Sequence, residues 1–318
     1  MNNKKIAVVG AGATGTVLAA ALLSGNCHIV LVGTRDGWEK VLKQEGLHVA
    51  GAVSFRAPVA CYSSRMGFLK DFEPDMVFLA TKTFHLPQVI RELKAVVSPG
   101  TAIIATQNGL GPEDMVAENF GAARTFRMSL NFGARFISPG QAEVTFFNRP
   151  NHIGGLLPAS HKPGLEIAGF LTACGLDTLA VEDIKLYVWQ KMIMKCTMAS
   201  ICAVTDRTIK GALGFLPTRM IAESCFKEAM AVAKAMGYDL GQGYREQALG
   251  YLEKVGEHKD SMCRDIANRT PTEIDFLGGK IVEYGRMKGI PTPFFATMTN
   301  LVKALEDSYS KTRKGLSK

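Results

Sequence analysis

The sequence predicts an α/β domain built on a doubly wound parallel sheet, followed by an all-helical domain. Three observations carry that prediction. Short apolar runs alternate with amphipathic stretches through the first half, a glycine-rich turn follows the first run directly, and long helical periodicities without strand runs fill the chain from about Val181. The apolar runs are residues 6–9, 28–32, 76–80 and 102–105. None alternates polar with apolar, so each is expected to be buried on both faces, as in a parallel sheet covered by helices. Helical patterns at 16–23 and 86–97 supply crossovers between them. Residues 124–147 are richer in β-branched and aromatic side chains. They predict antiparallel strands added to an edge, turning at Ser138-Pro139-Gly140. Helices are expected over 184–202, 220–236, 245–255, 272–288 and 294–309, with Gly237 and Gly289 as stops. The boundary falls near Ala180, giving a dinucleotide-binding domain at 1–180 and a helical substrate and dimerisation domain at 181–318.

Composition narrows the function classes. At 318 residues and 47% hydrophobic, the chain is long enough for two domains with real cores. Its 32 Gly and 13 Pro are dispersed, which excludes a low-complexity, disordered protein. No run of about 18 apolar residues occurs, so no membrane span is expected. The opening Met-Asn-Asn-Lys-Lys is too short for a secretory signal. Seven cysteines, odd in number and without Cys-x-x-Cys spacing, read as reduced thiols of a cytoplasmic protein. The six histidines show no ligand spacing either, so no metal is expected. Lys and Arg exceed Asp and Glu by 37 to 29, but the excess is dispersed apart from the tail at 311–318. That pattern argues against nucleic acid and suits an anionic cofactor and substrate.

Gly10-Ala11-Gly12-Ala13-Thr14-Gly15 sits between the first apolar run and a helical pattern. In that context the three glycines serve a tight turn, close approach of a pyrophosphate, and close packing of helix on strand. The helix N-terminus then offers amide groups to the phosphates, as in a Rossmann-type nucleotide fold. The second run ends Gly33-Thr34-Arg35-Asp36. Arg35 would hold the 2′-phosphate of NADP, whereas a one-residue shift to Asp36 would suit NAD. Thr81-Lys82 and Gln107-Asn108-Gly109 close the third and fourth runs, where open α/β sheets bind ligands. Asn-Gly is also a favoured turn dipeptide, and Lys82 also reads as a surface lysine.

Together with the second half, these residues resemble the ketopantoate reductase (2-dehydropantoate 2-reductase) family along essentially the whole chain. The landmarks are Gly10 to Gly15, Arg35, Thr81-Lys82, Asn108-Gly-Leu-Gly111, Trp189-Gln-Lys191 and Thr272-Glu273-Ile-Asp275. The resemblance implies NADPH-dependent reduction of a 2-oxo acid in a cleft between the domains, typically 2-dehydropantoate to pantoate in pantothenate and coenzyme A biosynthesis. It implies that Gly10, Ala11, Gly12, Ala13, Thr14, Gly15, Arg35, Lys82 and Asn108 bind the cofactor and that Lys191 is the catalytic lysine. Asn108, Ser261 and Glu273 would surround the substrate, with Glu273 assisting Lys191. The family carries asparagines four and eight residues after that lysine, where this chain has Lys195 and Ala199.

The residues themselves support a chemical role for Lys191. The helix around it is apolar on nearly every face, and a buried lysine needs a partner, a function, or a route to solvent along its stem. Lys195, four residues on, shares its face, so a substrate-binding role is expected there. Two ammonium groups meeting in this way would suit a more acidic or more polar 2-oxo acid. Glu273 has a second reading, because Thr270-Pro271-Thr272-Glu273 is a capping box. Alternatives for the whole chain are a reductase or dehydrogenase of another 2-oxo or 2-hydroxy acid, or a non-catalytic nucleotide sensor. The expected partner is a small-molecule substrate; a homodimer is permitted.

Overall fold

A computed structural model describes residues 4–25, 27–35, 37–59 and 61–315. Asp36 and the last three residues of the basic tail lie outside them. The chain forms two compact units, one of Met1–Gln107 with Gly111–Tyr187, the other of Asn108–Leu110 with Val188–Lys318. The division thus falls after Tyr187 rather than Ala180, and a three-residue loop from the first half of the chain joins the helical unit.

The first unit contains β1 (Lys5–Val9), α1 (Ala13–Ser24), β2 (His28–Val32), α2 (Trp38–Glu45), β3 (Leu47–Gly51), β4 (Phe55–Ala57) and β5 (Tyr62–Ser63). It continues with α3 (Leu69–Phe72), β6 (Met76–Leu79), α4 (Leu86–Lys94), β7 (Ala102–Ala105), α5 (Pro112–Phe120) and β8 (Thr125–Ser129). Then come β9 (Phe132–Ser138), β10 (Gln141–Phe147), β11 (Asn151–Gly155), α6 (His161–Ala173) and β12 (Thr178–Ala180). The main sheet has the order β12-β11-β8-β7-β6-β1-β2-β5. Its strands run parallel from β5 to β8, and β11 joins β8 antiparallel.

Both faces of the parallel strands are buried, as their unbroken apolar runs require. Ile6 and Val8 pack with Val17, Leu18 and Leu22 of α1, while Ala7 and Val9 pack with Leu86, Ile90 and Leu93 of α4. Strand order reverses between β1 and β6, the crevice where open α/β sheets hold ligands.

Segment 124–147 does not simply extend an edge. Its first strand, β8, joins the main sheet in parallel with β7, whereas β9 and β10 form a hairpin in a separate sheet of order β4-β3-β10-β9. The physical reason lies in α1, whose residues 17–22 are fully buried. A helix buried all round needs a second cover, and Leu47, Val49, Ala142 and Val144 of the second sheet supply it.

The second unit is helical. Helix α7 (Ile184–Thr205) begins in the first unit and continues into the second. It is followed by α8 (Ile209–Leu213), α9 (Leu216–Ala235), α10 (Tyr244–Val255), α11 (Ser261–Ala267), α12 (Gly278–Lys288) and α13 (Pro293–Gly315). Trp189 stacks on Tyr238 at 5.9 Å between ring centroids and lies 6.0 Å from Tyr284. The Tyr244 hydroxyl donates to the Gln190 carbonyl. These contacts hold α7 among its neighbours, so Trp189 and Gln190 serve the fold. No helix among the described residues is long and apolar enough to cross a membrane.

One polar pair lies deep in the first unit. Arg127 of β8 and Glu113 of α5 are 2% and 4% exposed, with Nε and Oε2 3.4 Å apart. Burial pulls the guanidinium pKa down, and Glu113 and Asp114 oppose that shift. Removing one charge of a buried pair strands the other. Glu113→Gln is therefore expected to lower unfolding stability by about 3–5 kcal/mol, read from denaturant melts.

Candidate active site

The turn from β1 into α1 is shaped by backbone contact. Gly10 adopts φ +114°, and a Cβ there would lie 2.7 Å from the Ala80 carbonyl carbon. A Cβ on Gly15 would sit 1.7 Å from the Gly10 carbonyl oxygen. Nothing lies within 4 Å of a Cβ built on Gly12, so the exposed side of the turn opens outward. Gly12 caps α1 in an extended conformation without a side-chain hydrogen bond, and the first turn carries no acidic residue. This open cradle, with helix amides uncovered by side chains and no carboxylate to repel phosphate, fits a dinucleotide pyrophosphate. Ala11, Ala13 and Thr14 are part-exposed around it.

At the end of β2, Gly33 accepts the Tyr62 ring so closely that a Cβ would lie 2.5 Å from its hydroxyl oxygen. That hydroxyl donates to the Arg35 carbonyl at 3.0 Å. Arg35 is exposed, its guanidinium carbon 5.4 Å from the centre of the Trp38 ring. A guanidinium steadied on an aromatic face still presents its edge to an anion. Lys82 is half-buried just ahead of the 3₁₀ turn Thr83–His85.

In the helical unit, the loop Asn108–Leu110 is clamped from two sides. Lys191 of α7 donates to Asn108 Oδ1 at 3.0 Å, and the Gly109 amide donates to Met192 Sδ at 3.1 Å. On the other side the Leu110 amide donates to the Phe276 carbonyl at 3.1 Å. Gly109 has φ +116°, and a Cβ there would press to 2.7 Å from the same carbonyl oxygen. The Asn-Gly pair is therefore more than a turn, because only glycine fits the clamp.

Glu273 begins the segment that supplies Phe276. A helix from Thr272 is not formed: a 3₁₀ turn at Ile274–Phe276 precedes α12, and Glu273 stands before that turn instead of at a third helical position. The Thr270 hydroxyl donates to the Asp265 carbonyl, and the Thr272 hydroxyl accepts from the Ile274 amide. The Thr272 amide donates to Glu306 Oε1 at 2.5 Å.

Lys195 does not run to solvent. Its ammonium donates to Asp260 Oδ2 at 2.5 Å and to Ser261 Oγ at 2.9 Å. The two charged side chains are 17% and 8% exposed. Asp260 also caps α11 by accepting from the Met262 amide at 2.9 Å. Burial works to raise its pKa, but the Lys195 charge and these hydrogen bonds hold it below the usual carboxylate range. Ala199, one turn further along α7, is fully buried and opens no additional room. The sequence reading missed Asp260. A buried lysine calls for a carboxylate, but nothing in the spacing says which one.

Buried cysteines contribute no nucleophile. Burial pushes Cys174 and Cys263 up to about 11 and Cys225 up to about 12, and it raises Cys196 and Cys202 further.

Residues 6–156 match the family described as Ketopantoate reductase PanE/ApbA, and residues 183–306 match its C-terminal counterpart. The chain belongs to the ketopantoate reductase family. A 2-dehydropantoate 2-reductase of Streptococcus pyogenes serotype M1 is 26% identical over 309 residues, covering 94% of this chain and 97% of that one. One from Pyrococcus horikoshii is 28% identical over 306 residues, covering 95% and 97%. Among solved structures, 2-dehydropantoate 2-reductase from Geobacter metallireducens GS-15 superposes with a TM-score of 0.87 at 25% identity, covering 94% and 99%. A D-mandelate dehydrogenase solved with NADH and anilino(oxo)acetate shares the fold, with a TM-score of 0.87 at 23% identity over 96% and 99%.

The glycine geometry separates two effects. Gly15→Ala should lower stability by about 1–3 kcal/mol through backbone overlap. Gly12→Ala should leave the melting temperature nearly unchanged yet weaken dinucleotide binding, measured by fluorescence titration.

Proposed function

We propose that this protein is an NADPH-dependent oxidoreductase that reduces the ketone of a 2-oxo acid to a secondary alcohol, with 2-dehydropantoate as the leading substrate. That substrate would place it in pantothenate and coenzyme A biosynthesis. The observation that carries the reading is Lys191: an ammonium on an otherwise buried helix, aimed by a 3.0 Å bond to Asn108. Membership of the family supports it.

The Gly10–Gly15 cradle would hold the pyrophosphate of a reduced nicotinamide dinucleotide, which would supply the hydride for carbon 2. Reduction also requires a proton for the developing alkoxide. Lys191 is the donor: its Nζ stabilises the negative oxygen and passes one proton to it, then recovers a proton from solvent. Asn108 Oδ1 accepts one N–H and so fixes the position of the ammonium. Because Gly109 and Leu110 are clamped, Asn108 has little freedom to release it. Glu273 supports this end of the site, and Ser261 offers a hydroxyl to the substrate.

The reading is tested by following NADPH oxidation across a panel of 2-oxo acids that includes 2-dehydropantoate. Turnover is expected, and Lys191→Ala should reduce kcat at least about 100-fold while leaving NADPH affinity within a few-fold. A wild type inactive with every acid would leave only nucleotide binding. Arg35→Ala should weaken NADPH binding by about 1.5–3 kcal/mol and leave NADH binding almost unchanged. Equal losses for both would remove Arg35 from 2′-phosphate recognition.

A further inference from the structure

We infer that Trp38, stacked on Phe136 of the second sheet, is a positioning residue that holds the Arg35 guanidinium for the 2′-phosphate of NADPH, so that cofactor choice depends on an aromatic pair outside the glycine cradle. The inference rests on the reading of Arg35 as the 2′-phosphate ligand.

Arg35 follows β2 with its side chain exposed, where an unrestrained arginine would spread over many rotamers. Two contacts restrict it. The Tyr62 hydroxyl donates to its backbone carbonyl at 3.0 Å, from a side chain only 6% exposed. Trp38 holds the other end, with the guanidinium carbon 5.4 Å from the centre of its ring. The N–H groups of a guanidinium lie in its own plane, so a contact through its face uses none of them. A carboxylate partner would offset the positive charge that a phosphate needs. An indole does not.

Trp38 is itself held. Its ring lies 5.7 Å from that of Phe136, with 12° between the planes. It opens α2, and α2 is seated on the β9–β10 hairpin along its length. Leu42 is fully buried, and a Cβ on Gly140 of the hairpin turn would lie 2.7 Å from its Cδ2. At the far end of the helix, Gln141 Nε2 donates to Glu45 Oε2 at 3.3 Å. Phe136 stands on β9, the strand at the outer end of the second sheet. That sheet therefore covers α1 and also carries the mount for Arg35.

A guanidinium ordered in advance loses less freedom when a phosphate arrives, and the saving appears as affinity. NADH has a ribose hydroxyl where NADPH has the phosphate, so it gains little from the same order. The rival role for Trp38 is a stacking platform for the adenine ring, which both cofactors share. Selectivity separates the two roles.

Dissociation constants for NADPH and NADH are measured by fluorescence titration, with melting temperatures alongside. The proteins are wild type, Arg35→Ala, Trp38→Leu, Trp38→Phe and the double variant Arg35→Ala with Trp38→Leu. Trp38→Leu keeps apolar bulk and removes the aromatic face. It should raise Kd for NADPH about fivefold and leave NADH within about twofold. Trp38→Phe should recover most of the loss. Once Arg35 is alanine, Trp38→Leu should weaken NADPH no further, because the two side chains act as one unit. A merely structural tryptophan would lower the melting temperature without moving the NADPH to NADH ratio, which overturns the inference. Equal losses for both cofactors, or a loss that persists without Arg35, also overturn it. If Trp38→Leu fails to fold, Phe136→Leu takes its place and the same ratio decides. Selective loss of NADPH in Arg35→Ala with no shift in the Trp38 and Phe136 variants overturns this inference alone. Equal losses in Arg35→Ala itself overturn the reading of Arg35 and this inference with it.

Discussion

The requirement that a buried helix give every charge a partner governs the helical unit. Helix α7 carries Val188, Met192, Ile193, Cys196 and Ile201 in its core, each at most 1% exposed. Ammonium groups on such a helix cannot simply be tolerated, because desolvation costs several kcal/mol per ion when it is uncompensated. Two solutions appear one turn apart. Lys191 takes an amide oxygen, a partner without a full charge, while Lys195 takes a carboxylate and a hydroxyl. The carboxylate offsets the charge on Lys195. One helix thereby carries two lysines bonded to different loops and elements, Asn108 for one and Asp260 with Ser261 for the other.

The clamp on Asn108–Leu110 links that chemistry to the chain's first half. The loop follows β7 in sequence, yet it belongs structurally with the helical unit. Contacts from Lys191, Met192 and Phe276 hold it, and the last tolerates no side chain at Gly109. A reduction needs its proton donor fixed before the substrate arrives, since reorganisation during the reaction adds to the barrier. In the proposed reduction Asn108 would meet that need through its 3.0 Å bond from Lys191, on a loop held at Gly109 and Leu110.

Much of this was legible in the residues. The strand runs at 28–32 and 102–105 coincide with β2 and β7, and the glycine turn sits where β1 meets α1. Lengthy apolar periodicity made α7, α9 and α13 visible, although α9 starts earlier, at Leu216, and α13 runs on to Gly315. What escaped were features set by distant packing. Strands β3 and β4 make sense only once α1 needs a second cover, and β5 is a two-residue edge strand beside β2. At Thr270 to Glu273 a 3₁₀ turn follows Glu273 in place of the expected helix start, and the Thr272 amide is met by Glu306, 34 residues away. Asp260 was invisible for the same reason, since its partner Lys195 lies 65 residues earlier in the sequence. Lys195 stands out as unusual in the sequence, but the carboxylate that offsets its charge comes from the protein itself rather than from the substrate.

Chemical rescue tests most directly whether the Lys191 ammonium delivers the proton. Lys191→Ala leaves a gap that small primary amines can enter. In that variant, NADPH oxidation with the 2-oxo acid should rise with methylammonium concentration. The rescued rate should vary systematically with amine acidity across a series of primary amines. Tetramethylammonium, which carries the charge but has no proton to give, should not rescue. Equal rescue by tetramethylammonium would reduce Lys191 to an electrostatic role. No rescue by any primary amine, in a folded variant that still binds NADPH, would contradict the assignment of the proton to Lys191.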